Sequence, residues 1–427
     1  MEIDMNYWRT VLDASFGSMI QNCLQYPDNY WQQGCAFDTV LDYLQYSIQT
    51  ASAENREQKI KDAQNTVRNV YINVYEVNKL GGEWYDDWAW WGIAATKAYD
   101  PAYADVFGGS AENFKAVAQF CYDTMVTGKG RNEKGGAQQF YGAQNVWATC
   151  DQTRYSKVKP RFPGGSWQND FPAAADQPGP LDPKNPLGFY QVSVMNGLFL
   201  VFASQLATQT RRAAADADAQ YMFIQDWIKY RPTPDQGLVN TDNAIGALIR
   251  ERVSSYASGD FPVSAYKPAT CWGGDQGLFI GGLLAYEKYN PTDATKALIR
   301  NIVTGVGLRM SRAIKGETVY PNVMWPWYPF DGNVLAEIDA GDYSSGSGVF
   351  MRYFLLAYKK CPEFILKLLG DPSTGLVKML VGTANYYANA QAPVVVDKTP
   401  PIFMYFNQMS ALLTVLALSE GADWSAL

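Results

Sequence analysis

About a dozen windows of similar length repeat one pattern along the chain: apolar residues three and four apart, with polar residues between them. They fall near 4–24, 35–51, 54–79, 85–99, 110–127, 190–210, 213–230, 275–289, 292–313, 345–360, 373–390 and 402–419. The most apolar, MNGLFLVFASQLA (195–207), reads as a buried helix. Ser110 ahead of Asn113, and Pro291-Thr292-Asp293 before ATKALIRNIV, supply helix starts. No fixed sequence period recurs, which sets aside the short-repeat solenoids. With no clear linker either, helix pairs closed around a ring satisfy the count better than a bundle. The expected fold is all-α, an (α/α)6 toroid of about twelve helices, as one domain over residues 1–427.

Three connections are long: 128–189, 231–274 and 314–344. Loops of that length are functional or disordered. These carry Trp, Tyr and Phe, which disordered segments lack, so they are expected to order over one mouth of the ring and build a cleft. The alternative is insertions packed on the surface.

Several functions are excluded. The formal charge is −7 with no basic run, against the positive footprint that nucleic acid requires. No stretch reaches the ~20 apolar residues of a membrane span. The opening MEIDMNYW lacks the basic start and apolar middle of a secretory signal. The six cysteines form no CxxC pair, so neither a zinc nor a redox site is expected; most should be small buried apolar residues, with a Cys121–Cys150 disulfide as the alternative. There is no histidine at all. That removes Ser-His-Asp, Cys-His and HExxH chemistry and leaves carboxylates, tyrosines or lysines to move protons. Neither cofactor nor metal is expected; Asp331, Asp339 and Asp342 match no calcium-loop spacing and read as loop acids.

One stretch concentrates chemistry. In GGEWYDDWAWWGIAATKAYD (81–100), Asp86 and Asp87 are flanked by Trp84, Tyr85, Trp88, Trp90 and Trp91. Sugar rings stack on Trp and Tyr, and their hydroxyls need planar polar partners; aromatics make up 14% of this chain. Glycoside hydrolysis needs two carboxylates, one ionised and one protonated. Apolar burial and a neighbouring anion both favour the protonated form, while free N–H groups at a helix start favour the ionised one. Adjacent residues do not face each other in a regular helix, so convergence would require an irregular first turn. A carboxyl separation of about 5–5.5 Å would imply retention of configuration. The plain alternative is a helix cap.

EWYDDWAWWGIAATKAYD resembles the signature of glycoside hydrolase family 76, endo-α-1,6-mannanases with an (α/α)6 fold. Further stretches agree in the family's order: YWQQGCAFDTVLDYLQ (30–45), QVSVMNGLFLVFASQLA (191–207), GLVN (237–240), CWGGDQGLFIGGLLAYEKY (271–289) and GVFMRYFLLAY (348–358). The resemblance implies that Asp86 is the nucleophile and Asp87 the general acid/base, acting on α-mannan. Its substrate class places the protein at a secreted, periplasmic or cell-surface location, as a monomer. Two departures are visible: Asp275 stands before Gln276 where the family usually has Asn, and the 128–189 connection is long.

Around the pair, one of Trp90 and Trp91 is expected to wall the cleft and the other to turn into the core, with Tyr85 beside them. Gln191, Asn196, Trp272, Asp275 and Gln276 sit at helix starts after long loops and are candidate substrate contacts; capping or core packing is the alternative. Trp325, Trp327 and Tyr328 in MWPWYPF are candidates for an outer sugar platform. Arg352, inside an apolar helix, is expected to pair with a buried acid. Two rivals to hydrolysis are a transglycosidase that remodels a cell-wall glycan through the same covalent intermediate, and a non-catalytic glycan-binding protein on the same scaffold.

Overall fold

The computed structural model describes residues 4–24, 30–76, 85–127, 138–139, 165–166, 192–229, 237–241, 245–251, 270–286, 291–315, 318–328, 341–389 and 402–420. Its helices are α1 (Met5–Cys23), α2 (Tyr30–Gln49), α3 (Ala53–Val70), α4 (Tyr85–Thr96), α5 (Ala104–Phe107), α6 (Ala111–Thr127), α7 (Ser193–Leu206), α8 (Arg211–Lys229), α9 (Gly273–Ala285), α10 (Asp293–Arg309), α11 (Gly346–Lys360), α12 (Pro362–Leu369), α13 (Leu376–Asn389) and α14 (Ile402–Ser419). The twelve windows read from sequence correspond to twelve of these; α5 and α12 are short additions between pairs.

Two kinds of helix alternate along the chain, and their burial explains why. In α9 every residue from Gly273 to Ala285 is buried, and in α4 every residue except Asp86. A helix apolar on all sides has to be surrounded. In α8, burial falls on Ala213, Asp216, Ala217, Gln220, Phe223, Ile224 and Trp227, one stripe at helical spacing that covers a single neighbour. The surrounded helices α2, α4, α7, α9, α11 and α14 each pack on the next, and α14 returns to α2, closing an inner ring. Outside it, α3 packs on α2, α6 on α4, α8 on α7, α10 on α9, α13 on α14, and α1 on α14 and α2. This is an (α/α)6 toroid.

The inner helices run parallel. Residues early in one meet residues early in the next: Gly34 meets Trp90, Gly197 meets Leu278, Gly277 meets Phe350, and Gly348 meets Asn407. The approach is close enough to exclude side chains. A Cβ on Gly277 would lie 2.7 Å from the Phe350 Cα, so glycine is needed where α9 crosses α11. By length and composition α14 would suffice to cross a membrane. Here it is an inner helix buried against α2, α11 and α13.

Parallel inner helices make the two ends of the ring unlike. The longest connections, 128–192, 230–272 and 310–345, each lead into the N-terminal end of an inner helix. Connections out of the inner helices, such as 50–52 and 207–210, are short and gather at the C-terminal mouth. The described parts of the long connections carry two-stranded antiparallel pieces: Val239–Asn240 with Leu248–Ile249, Cys271–Trp272 with Trp327–Tyr328, and Ser311–Lys315 with Val319–Met324. The last hairpin corrects the expected helix over 292–313, because α10 ends at Arg309. The expected helix over 54–79 also changes character, giving way to a π-helical turn over Tyr71–Glu76.

The ring's interior is not wholly apolar. Arg352 Nη1 reaches Asp38 Oδ2 at 2.6 Å and donates to the Cys35 carbonyl at 3.3 Å. This is the buried acid partner expected for Arg352. Lys97 Nζ lies 2.5 Å from Asp38 Oδ1 and 2.9 Å from Asp42 Oδ1. Lys359 Nζ donates to Asp42 Oδ1 at 2.8 Å, to Gln45 Oε1 at 2.7 Å and to the Tyr103 hydroxyl at 2.9 Å. The Tyr103 hydroxyl donates in turn to Asp42. Burial works against the ionised form of Asp42, but Lys359 and Lys97 outweigh it and hold the carboxyl well below the usual range. The cluster has three cations to two carboxylates. Lys97 follows the end of α4 and Lys359 lies in the last turn of α11, where the helix dipole favours cations, whereas Asp38, Asp42 and Arg352 lie further inside the ring.

Candidate active site

Asp86 and Asp87 occupy the first turn of α4, at the N-terminal mouth. The short run before an all-round apolar helix fixes this: α4 has to sink into the ring, so its polar start is left at the opening. Asp87 is 6% exposed and Asp86 is half-buried. The N–H groups of the first turn and the positive end of the helix dipole favour negative charge here. Tyr85 beside them is fully buried.

The two tryptophans depart from expectation. Trp90 and Trp91 are each 1% exposed, so both are core rings and neither is a wall. Trp91 packs edge-on to Tyr75 at 5.0 Å and against Phe37 at 6.2 Å. Trp90 lies beneath a residue not singled out from sequence: the half-buried Trp31, at the start of α2, whose ring sits 5.7 Å from it. On its other side Trp90 meets Tyr353 at 6.1 Å and the Arg352 guanidinium at 5.4 Å. The partly exposed ring at this place is therefore on the neighbouring helix α2 and not on α4. Its signal was present in YWQQGC, where a Trp opens a helix after a short connection.

Two amides are also corrected. Gln276 is fully buried and spends both ends of its amide on the scaffold. Its Oε1 accepts from the Ile249 N–H at 2.7 Å, and its Nε2 donates to the carbonyls of Ile249 and Trp272, each at 2.8 Å. It therefore clamps the 248–249 strand to α9 and has no donor left for a sugar. Asn196, fully buried, donates to the Val192 carbonyl at 3.0 Å, and its Oδ1 accepts from Gln220 at 2.9 Å. It ties α7 to α8. Gln191 lies outside the described residues.

Trp272 caps α9 and is 7% exposed, its indole N–H donating to the Tyr343 carbonyl at 3.1 Å. Asp275 sits in the first turn of α9 and is fully buried. Trp327 pairs in register with Trp272, stands edge-on to Tyr343 at 6.4 Å and is half-buried. Tyr328 is half-buried with Arg309 4.7 Å from its ring centre. Trp325 is instead packed, 5% exposed with Arg312 over its ring at 4.1 Å. The N-terminal mouth thus brings together the aspartate pair and three half-buried aromatic rings, Trp31, Trp327 and Tyr328. Among the described residues no group of His, Cys, Asp and Glu is placed to hold a metal. Cys23, Cys35 and Cys121 are buried free thiols, Cys271 is buried and Cys361 half-buried; Cys150, Asp331 and Asp339 lie outside the described residues.

No family sequence model matches the chain, and no curated protein matches it by sequence. Solved structures do match in fold. One is an inactive variant of the α-1,6-mannanase GH76A of Salegentibacter sp. HEL1_6, with two consecutive aspartates replaced, in complex with α-1,6-mannotetrose. It is 13% identical with a TM-score of 0.56, the match covering 96% of this chain and 99% of that one. A second variant of that enzyme, again altered at two consecutive aspartates, is in complex with α-1,6-mannotriose; it is 13% identical with a TM-score of 0.53, over 96% and 99% of the chains. A family 76 mannosidase from Bacteroides thetaiotaomicron VPI-5482 is 9% identical with a TM-score of 0.56, over 97% and 99% of the chains. Across almost its whole length, the chain has the (α/α)6 fold of the glycoside hydrolase family 76 enzymes.

Proposed function

We propose that the protein is a family 76 glycoside hydrolase that cleaves α-1,6-linked mannan with retention of configuration, through Asp86 and Asp87. The observation that carries this is the position of the pair: two consecutive aspartates in the first turn of an inner helix, at the mouth into which the longest connections lead. The inactive α-1,6-mannanase variants of the same fold are altered at two consecutive aspartates.

The resemblance to the family assigns the roles. The half-buried Asp86 attacks the anomeric carbon. Asp87, 6% exposed, gives its proton to the glycosidic oxygen as the C–O bond breaks. A glycosyl ester on Asp86 and a free sugar hydroxyl result. Asp87, now ionised, takes a proton from water; the hydroxide adds to the anomeric carbon and Asp86 leaves as carboxylate. Trp31, Trp327 and Tyr328 supply faces on which sugar rings stack, and Asp275 stands at the neighbouring helix start as a further candidate contact.

Digestion of a glycan panel, with the first-formed anomer followed by NMR, tests this reading. Release of α-configured mannooligosaccharides from α-1,6-mannan, and not from α-1,2- or α-1,3-linked glycans, is expected. An initial β product would exclude the double displacement.

A further inference from the structure

A cavity of about 710 Å³ opens at the C-terminal mouth, opposite the aspartate pair, framed by the ends of α2, α4, α7, α11 and α14. That volume falls in the range of roughly 300–1,000 Å³ typical of small-ligand sites. What it presents is set by what the charged cluster beneath it has already used. Lys359 directs its three protons at Asp42, Gln45 and Tyr103. Lys97 directs its own at Asp38 Oδ1, the Asp38 carbonyl and Asp42. An ammonium has three donors, so both are full. The floor therefore offers an incoming ion little beyond charges already satisfied among themselves.

Asp100, Lys360 and Glu420 line the cavity too, and its other wall residues offer neutral groups. Gln205 accepts at Oε1 from Thr96 at 2.6 Å, while its Nε2 meets no acceptor among the described residues. Among the described residues, the exposed amide of Gln49 and the hydroxyl of the half-buried Tyr358 meet no hydrogen-bond partner. Tyr99, also half-buried, has Lys115 5.5 Å from its ring centre. Open amides beside phenol rings match a ligand with flat C–H faces and many hydroxyls.

We propose that this cavity is a second binding site, for a neutral oligosaccharide, with Tyr358 as the stacking ring and Gln205 and Gln49 as the hydroxyl partners. It would hold a second stretch of glycan at the end of the toroid remote from cleavage. The proposal rests on the mannan-active reading of the chain only for the choice of probe.

Calorimetric titration of the full chain carrying Asp86→Asn with α-1,6-mannotriose tests it. Two binding events are expected. Adding Tyr358→Ala and Gln205→Ala should weaken one of them at least ten-fold. Gln49→Ala, at an exposed position that leaves packing intact, should weaken the same event about three-fold. In the otherwise unaltered chain, neither change should affect hydrolysis of the trisaccharide. A single event insensitive to all three substitutions overturns the second site and leaves the cleavage reading standing. A single event that they abolish, with no hydrolysis by the unaltered chain, overturns the cleavage reading and keeps this one. No binding at all overturns the second site.

Discussion

The two mouths of the ring are built from the same six helices and differ in almost everything else. At the N-terminal mouth the helices begin, the three longest connections lead in, and the aspartate pair stands with half-buried rings. At the C-terminal mouth the helices end, their connections are short, and the charges there are paired with one another. The helix dipole explains part of this: anions are favoured at starts and cations at ends. Asp86 and Asp87 sit at a start, and Lys97 and Lys359 sit at or just past ends. The difference teaches that a charged residue in such a ring reads by its end. In the last turn of α11 Lys359 is neutralised by Asp42, whereas the first turn of α4 holds two adjacent acids.

Substitutions can break this contrast. The largest stability effect is expected for Arg352→Ala, which removes a buried cation 2.6 Å from Asp38, leaving that carboxylate to Lys97 and the Cys35 carbonyl without its Arg352 donor. Removing one partner of a buried pair costs about 3–5 kcal/mol, to be read as a lower denaturation midpoint in urea. Gln276→Ala comes next. It leaves the Ile249 N–H and carbonyl without the partners they have now, at about 1–3 kcal/mol for an unsatisfied buried group. Because Gln276 has no free donor, KM for α-1,6-mannan should move little once the variant is folded; a large rise in KM with unchanged stability would show that it touches substrate after all.

Acid should also separate the mouths. The folded pKa of Asp42 lies below its unfolded value near ~4. Its stabilisation is therefore complete above that value and is lost as pH falls through the folded pKa. Melting midpoints should drop below about pH 4, and Asp42→Asn should flatten that part of the profile while lowering stability at neutral pH. The smallest effect is expected for Trp31→Ala. Loss of this ring should raise KM several-fold, with a stability cost of about 0.5–1.5 kcal/mol from its contact with Trp90.

Much of the toroid was legible because its signal is local. Helical spacing and the all-round apolar character of 195–207 and 273–285 survive in any short window of text. The aspartate pair was legible for the same reason, being one dipeptide ahead of one helix. What could not be read depends on distant partners. Asp38 and Arg352 are 314 residues apart, and nothing near either shows that they meet. Gln276 looked like a site residue because it follows a long loop. Its actual partner is a strand 27 residues back that forms only when the ring closes. The expectation that one of Trp90 and Trp91 walls the cleft fails for a related reason: spacing gives a face of a helix, but not which ring lies outermost on it.

The central claim is that Asp86 and Asp87 cleave the glycan. It is tested most directly by the initial rate on α-1,6-mannan of the Asp86→Asn and Asp87→Asn chains, each first shown to melt like the unaltered protein. The account predicts a loss of at least about 10²–10⁴-fold in both, the range a positioned acid or base supplies, with mannotriose binding at the cleft retained. Folded variants that both turn over at near the unaltered rate would contradict it.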